Sequence, residues 1–127
     1  MAVVFAVIGV MCWWSVPPWG HGLDREWFGR RYGLASWYGG GEPLKPYTAS
    51  GTRFNPAAME GAMWGVPFGT PVIVRRLFSG RFVVVRIVDR GPAWWLPWRV
   101  IDLSPAAFAE LAPRHRGLVP VLVEPVR

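Results

Sequence analysis

Proline and glycine occur so densely in this chain that long helices are disfavoured throughout. Thirteen prolines and fifteen glycines are spread over 127 residues. Because both residue types interrupt helices, this pattern favours short strands joined by turns. The length allows one compact domain, and a hydrophobic content of 52% is enough to give that domain a core. The sequence therefore predicts a single, mostly β fold.

Two strands are predicted most clearly, over Pro71–Leu77 and Arg81–Asp89, because a short turn separates two apolar runs. In the second strand, the period-two rule places Asp89 at the end of an inward-facing apolar stripe. That stripe consists of Val83, Val85 and Ile87. A carboxylate that only adds solubility is not expected at such a position.

The remaining elements are predicted to be short. Asn55 is expected to cap a helical turn that starts at Pro56 and includes Glu60, and Ser104 is expected to cap a helix. That helix is predicted over Pro105–Leu111. Three further strands are predicted over Ala35–Tyr38, Val100–Leu103 and Leu118–Val123. Glu42–Phe54 is predicted to be a polar loop, and long loops often carry function.

Residues 1–33 are expected to form an apolar segment and a linker, and residues 34–127 the folded domain. The first 14 residues are nearly all apolar, and no charged residue precedes Asp24. This segment has the length of a signal-peptide hydrophobic region, and a membrane anchor is the alternative. No basic residue precedes the run and no typical cleavage site follows it. We expect export to the periplasm or cell envelope, either with or without membrane association.

The net charge of +6 favours a polyanionic partner. Nucleic acid, an anionic membrane surface and a carboxylate-bearing glycan all meet this condition. Nucleic-acid binding would also need a basic stripe and a cytoplasmic location, so it is not expected. Arg86, Arg90 and Arg99 are candidates to attract carboxylates of a glycan.

Asp89 and Asp102 differ from the other acidic residues because both lie at the ends of apolar strands. They are either the acidic residues of a cleft or carboxylates that cap a turn and a helix. Neither a metal nor a cofactor is expected, because Cys12 is the only cysteine and His21 and His115 lack neighbours at ligand spacing.

Nine tryptophans are a large excess for this length, and three of them lie between the two candidate acids: Trp94, Trp95 and Trp98. Exposed tryptophans stack on sugar rings or bases, whereas buried ones fill a core. Because loops bounded by proline usually lie on the surface, we expect at least one of the three to be exposed.

Several short motifs follow one another in a defined order: Ala35-Ser36-Trp37-Tyr38-Gly39, Thr48-Ala49-Ser50-Gly51, Pro67-Phe68-Gly69-Thr70, Asp89-Arg90-Gly91-Pro92 and Ile101-Asp102-Leu103-Ser104. This set resembles the rare lipoprotein A (RlpA-like) family of septal-ring lytic transglycosylases, over about Leu34 to Val123. The resemblance implies a six-stranded double-psi β-barrel, related to expansins, with one or two short helices.

The resemblance also implies a function. The barrel would bind peptidoglycan glycan strands that have lost their stem peptides and would cleave them endolytically, as a monomer without a cofactor. Asp102 would be the catalytic acid and Asp89 its partner. The expected substrate-binding residues are Tyr38, Thr48, Arg90, Trp94 and Trp95.

Two positions depart from the family pattern. Thr52 stands where the family usually has Glu, and Met63 stands where it usually has His. Both replacements remove polar groups that the resemblance would place in the cleft. A non-catalytic module that binds or loosens cell-wall glycan, as expansins do, is therefore the alternative to an enzyme.

Overall fold

The computed structural model describes residues 29–38, 46–93, 95–96 and 98–126. The apolar N-terminal segment and Trp94 lie outside these residues. The described elements are β1 (Arg31–Trp37), β2 (Glu60–Ala62), β3 (Pro71–Arg76), β4 (Phe82–Asp89), β5 (Arg99–Leu103), α1 (Pro105–Leu111), a 3₁₀ turn (Arg114–Arg116) and β6 (Val119–Pro125).

The six strands close into a barrel in the order β1-β5-β2-β4-β3-β6. The β1–β5 and β2–β4 pairs are parallel, and the other four pairs are antiparallel. The expected fold class, a mostly β six-stranded barrel with short helical elements, is confirmed. Closure leaves no unpaired sheet edge, so a small domain satisfies its backbone without long strands.

The predicted β3–β4 hairpin, the helix and its cap are confirmed. The Ser104 hydroxyl accepts a hydrogen bond from the Ala107 N–H at 3.2 Å and donates to the Ala58 carbonyl at 2.6 Å. Phe108 and Leu111 of α1 are fully buried in the core of the barrel. The helix therefore packs on the barrel with the face that its sequence pattern predicts.

The short helix predicted around Glu60 is wrong. Asn55 caps only a turn, in which its Oδ1 accepts from the Ala57 N–H at 3.0 Å, and Glu60 begins strand β2. With three residues, β2 is too short to show a strand period, and its two partner strands lie distant in sequence. The first strand also begins at Arg31, three residues before the expected start of the domain.

Strand β4 does not keep the alternation that the sequence predicts. Gly61 pairs with Ile87, but the next residue, Ala62, pairs with Asp89, so the register shifts by one residue as in a β-bulge. Both Ile87 and Val88 are buried. Asp89 is therefore the register partner of Ala62. It does not continue the apolar face of Val83, Val85 and Ile87, as simple alternation predicts.

Candidate functional site

The two candidate acids lie in one row across four neighbouring strands. Ser36 of β1 pairs with Asp102 of β5, Asp102 pairs with Ala62 of β2, and Ala62 pairs with Asp89 of β4. Directly paired residues share a face of a sheet. Because neighbouring strands are about 4.8 Å apart, the Asp89 and Asp102 Cα atoms are separated by about 10 Å. Only the small Ala62 side chain stands between the two carboxylates in this row.

Asp102 is half-buried and is oriented by its neighbour on β1. The hydroxyl of Ser36, itself 6% exposed, donates a hydrogen bond to Asp102 Oδ1 at 3.0 Å. Asp102 lies between the buried core residues Ile101 and Leu103. The hydrogen bond from Ser36 therefore holds the carboxyl in place on a strand whose neighbouring residues belong to the core.

Asp89 has a different set of partners. Its Oδ1 accepts hydrogen bonds from the N–H of Arg90 at 2.8 Å and from the N–H of Ala49 at 3.1 Å. The Ser50 N–H also donates to the Val88 carbonyl at 3.0 Å, so the end of β4 carries the loop that contains Ala49. Asp89 thus fixes this loop beside the row of acids.

Thr48 is 7% exposed, and the partners of its hydroxyl lie within its own loop. Its Oγ1 lies 2.9 Å from Ser50 Oγ and 2.8 Å from Thr52 Oγ1. Ser50 and Thr52 are themselves 3.1 Å apart, so the three hydroxyls form a closed triangle. In this structure Thr48 stabilises the loop, while a contact from Thr48 to substrate stays a prediction.

Tyr38 follows β1 and is only 8% exposed. Its ring lies 5.3 Å from the ring of Phe54, and its hydroxyl is buried with no hydrogen-bond partner among the described residues. Burial raises the pKa of this hydroxyl well above its usual value, and the negative charges of Glu60, Asp102 and Asp89 raise it further, in that order. The Tyr38 hydroxyl therefore lies within the electrostatic reach of three carboxylates.

Glu60 is a site residue that the sequence analysis missed. Its Oε1 is buried without a partner among the described residues, and burial raises the pKa of its carboxyl. The sequence predicts a helical turn at Glu60 because the neighbouring residues show no strand pattern. The three acids around Tyr38 are three of only eight in a chain of net charge +6, so negative charge is concentrated here on a basic protein.

Arg90 and the tryptophans border this region in different ways. The Arg90 guanidinium donates to the Met63 carbonyl at 3.0 Å and lies 4.0 Å from the centre of the Phe68 ring. Trp95 is 65% exposed and Trp98 is 77% exposed, which confirms the expectation of an exposed tryptophan. Their contacts with a glycan stay predictions.

The two positions that depart from the family pattern have different surroundings. Thr52 is exposed on the loop and takes part in the hydroxyl triangle. Met63 is completely buried and belongs to the hydrophobic core cluster. Its side chain therefore adds core packing at a position where the family pattern has an ionisable group.

Within the described parts of the chain, no three His, Cys, Asp or Glu side chains are arranged to hold a metal ion. No helix among the described residues has both the length and the apolar character needed to cross a membrane.

Comparison with a curated relative supports the resemblance. The chain is 49% identical over 94 residues to a probable endolytic peptidoglycan transglycosylase RlpA of a Nostoc species. The match covers 72% of this chain and 24% of that protein. The chain thus spans about a quarter of the length of this relative.

Solved structures share the fold. The Streptomyces papain inhibitor superimposes with a TM-score of 0.60 at 30% identity, over 77% of this chain and 94% of that one. A mutant expansin of Clavibacter michiganensis in complex with cellohexaose superimposes with a TM-score of 0.59 at 20% identity, over 77% and 50% of the two chains. The lytic transglycolase family model matches residues 30–123, which include β1 to β5 and most of β6. The chain belongs to the lytic transglycolase family.

Proposed function

We propose that this protein is an endolytic lytic transglycosylase of peptide-poor peptidoglycan strands. It would cleave the bond between N-acetylmuramic acid and N-acetylglucosamine and leave 1,6-anhydro ends. The observation that carries this proposal is the row in which Asp102 and Asp89 flank Ala62, with Ser36 bound to Asp102. The relatives that carry this activity in their names support the same reaction.

The reaction needs one carboxyl group that acts first as an acid and then as a base. Asp102 in its acid form donates its proton to the glycosidic oxygen, and the bond to the leaving sugar breaks. The resulting carboxylate then takes the proton of the muramic acid 6-hydroxyl, whose oxygen attacks C1 and closes the anhydro ring. No water is consumed. The hydrogen bond from Ser36 orients the Asp102 carboxyl for both transfers.

Asp89 has a supporting role in this scheme. The amides of Ala49 and Arg90 hold one of its oxygens, and its carboxylate lies one strand beyond Ala62. A negative charge at that distance stabilises the positive charge that develops at C1 of the sugar. Its loss should therefore weaken the reaction without removing the acid.

A neutral polysaccharide would gain little from the net charge of +6, whereas a strand without stem peptides exposes its lactyl carboxylates. Arg86 and Arg99 would attract these groups, together with Arg90. The proposed substrate places the protein in the cell envelope, where peptidoglycan lies. Binding of this kind should weaken as salt is added.

The second candidate is a module that binds cell-wall glycan without cleaving it. The buried Met63 favours it, because no ionisable side chain is available at that position. The expansin with a similar fold binds cellohexaose, a neutral glycan. In this case the same carboxylates would accept hydrogen bonds from sugar hydroxyls.

Product analysis separates the two functions. Purified protein is incubated with peptide-free glycan strands, and the soluble products are analysed by mass. An enzyme releases fragments with 1,6-anhydro-muramic ends, which are one water lighter than hydrolysis products. Binding of the strands without any released fragment would instead establish the module.

A further inference from the structure

The Tyr38 hydroxyl is held in a fixed position, and no described residue forms a hydrogen bond with it. Its ring lies against Phe54, and its N–H donates to the Leu103 carbonyl at 3.0 Å, so both backbone and ring are held. The residue is 8% exposed, and its hydroxyl has no hydrogen-bond partner among the described residues. Buried polar groups are nearly always satisfied, so an exception calls for an explanation such as a missing ligand.

Glu60 also has a buried polar atom on a fixed backbone. Its backbone is fixed, since its N–H donates to the Ala58 carbonyl at 3.1 Å and its carbonyl accepts from the Ser104 N–H at 2.9 Å. Its Oε1 is nevertheless buried and without a partner in the described part of the chain. Glu60 lies two residues before Ala62 on β2 and therefore on the same face of the sheet as the row of acids.

We propose that the Tyr38 hydroxyl and the Glu60 carboxyl together form a subsite for an uncharged hydroxyl or acetamido group of a glycan. This inference rests on the proposed function only in taking a glycan as the ligand. Each group has a buried polar atom that no described residue satisfies, and a sugar supplies both donors and acceptors.

Electrostatics explains why the bound group should be neutral. Three carboxylates, those of Glu60, Asp102 and Asp89, act on the Tyr38 hydroxyl. They would repel the lactyl carboxylate of muramic acid. Arg86 is the register partner of Glu60, but its guanidinium donates to the Gly69 carbonyl at 3.0 Å.

The protonation states also suit a neutral ligand. The raised pKa of Tyr38 keeps its hydroxyl protonated, so that it can donate a hydrogen bond at any physiological pH. Burial raises the pKa of Glu60 as well. Its carboxyl oxygens can accept hydrogen bonds from a sugar hydroxyl or an acetamido N–H. The subsite can therefore bind an acetamido carbonyl, a hydroxyl, or both.

The experiment measures equilibrium binding of a soluble N-acetylglucosamine hexamer, which has hydroxyl and acetamido groups and no carboxylate. Tyr38→Phe and Glu60→Ala should each weaken binding about five- to tenfold, the usual value of one buried hydrogen bond. Glu60→Gln keeps the shape and the hydrogen-bonding capacity and should stay within about twofold of the wild type. Tyr32→Phe and Glu110→Gln change exposed residues and serve as matched controls.

Stability gives a second readout that a purely structural role would move differently. Since the two atoms have no partner among the described residues, removing them should leave the unfolding temperature unchanged or raise it. A fall in unfolding temperature, with unchanged hexamer binding, would show that the pair is structural and overturn the proposal.

A different result would also overturn it. If Glu60→Ala strengthens binding of peptide-free glycan but leaves hexamer binding unchanged, Glu60 only repels carboxylates and forms no subsite. These measurements concern binding alone. Failure to release anhydro products would refute the transglycosylase without touching the subsite, and failure of the variants to affect binding would refute the subsite without touching the transglycosylase.

Discussion

Strand β4 pairs regularly with the strand on one side and irregularly with the strand on the other. Against β3 it forms five antiparallel register pairs without a shift. Against β2 it forms three parallel pairs with one shift. The regular edge buries valines in the core, whereas the irregular edge carries Asp89 and lies beside Glu60 and Asp102. The pairing with β3 is thus uniform, whereas the pairing with β2 positions the acidic side chains.

The difference shows what each edge contributes. Alternating valines on β3 and β4 bury apolar surface, which is the main source of stability in a small domain. The register shift on the other edge aligns Asp89 with Asp102, and Glu60 on this edge has a buried Oε1 without a partner among the described residues. Such irregularities lower stability and are common beside active sites. Substitutions of the buried core residues should therefore change stability, and substitutions of the acidic residues should change glycan cleavage.

The largest effect is expected from Asp102→Asn on the irregular edge. The asparagine can still accept the hydrogen bond from Ser36 but cannot supply a proton, so cleavage of peptide-free glycan should fall by at least about 100-fold. The unfolding temperature should not change. Release of anhydro-muramic products is measured by mass, with Glu110→Gln as an exposed control. Wild-type rates from the Asp102→Asn protein would rule out Asp102 as the acid.

A core substitution on β4 should instead lower stability. Ile87 is fully buried, so Ile87→Ala should lower the free energy of unfolding by about 2–5 kcal/mol. Val84 lies on the same strand but is 44% exposed, and Val84→Ala should change it by no more than about 0.5 kcal/mol. Denaturant titration measures both. Equal losses from the two variants would contradict the division into an inner and an outer face.

The sequence predicts the regular edge well and the irregular edge poorly, for a physical reason. The β3–β4 hairpin pairs residues that are close in sequence, and its alternating pattern is visible in Val83 and Val85. The pairing of β2 is non-local, and the sequence Glu60-Gly61-Ala62 has no period that distinguishes a strand from a turn. Glu60 was therefore assigned to a helix.

The candidate site shows the same limit. Asp89 and Asp102 stand out because each ends an apolar run, and the structure does bring them into one row. The register shift that does so could not be predicted, since alternation alone places Asp89 on the same face of the sheet as Ile87. Ser36 was visible only as part of a motif, because its contact with Asp102 joins residues 66 positions apart.

Asp89→Asn should have an intermediate effect. The asparagine oxygen can still accept from the Ala49 and Arg90 amides, so the loop should stay in place while the negative charge is lost. Cleavage should fall about tenfold, which corresponds to about 1.4 kcal/mol of transition-state stabilisation. Initial rates on peptide-free glycan measure this change. A loss as complete as that of Asp102→Asn would mean that Asp89 takes part in proton transfer.

Glu60 should give a smaller effect, visible in the pH dependence of stability. Its folded-state pKa is raised, so between the unfolded and folded pKa values the folded protein binds more protons, and stability falls as the pH rises. Glu60→Gln removes this loss. Its advantage over the wild type should therefore grow as the pH rises above about 4, where an unfolded glutamate titrates, and then level off.

Denaturant titrations at several pH values measure this difference. Glu110→Gln, on the exposed face of α1, is the matched control for removal of one negative charge. If the two variants follow the same pH profile, the wild-type difference reflects net charge and not the burial of Glu60.

The smallest effect is expected at the hairpin tip, the far end of the regular edge. Phe78 is fully exposed and has a φ of 61°, in the left-handed region. A residue with a Cβ costs about 1–2 kcal/mol there. Glycine avoids this cost but adds about 0.5–1 kcal/mol of entropy to the unfolded chain. Phe78→Gly should therefore stabilise the protein by up to about 1 kcal/mol, and cleavage should be unchanged.

Phe78→Ala separates the backbone from the ring at this position. Alanine keeps the Cβ and the strained φ but removes an aromatic ring that is exposed to solvent, so it should leave the free energy of unfolding within about 0.5 kcal/mol of the wild type. The difference between the glycine and alanine variants then reports backbone strain alone. If alanine stabilises as much as glycine, the exposed ring is the cause. If either variant weakens glycan cleavage, the two ends of β4 are not independent, because the tip lies about 25 Å along the strand from Asp89.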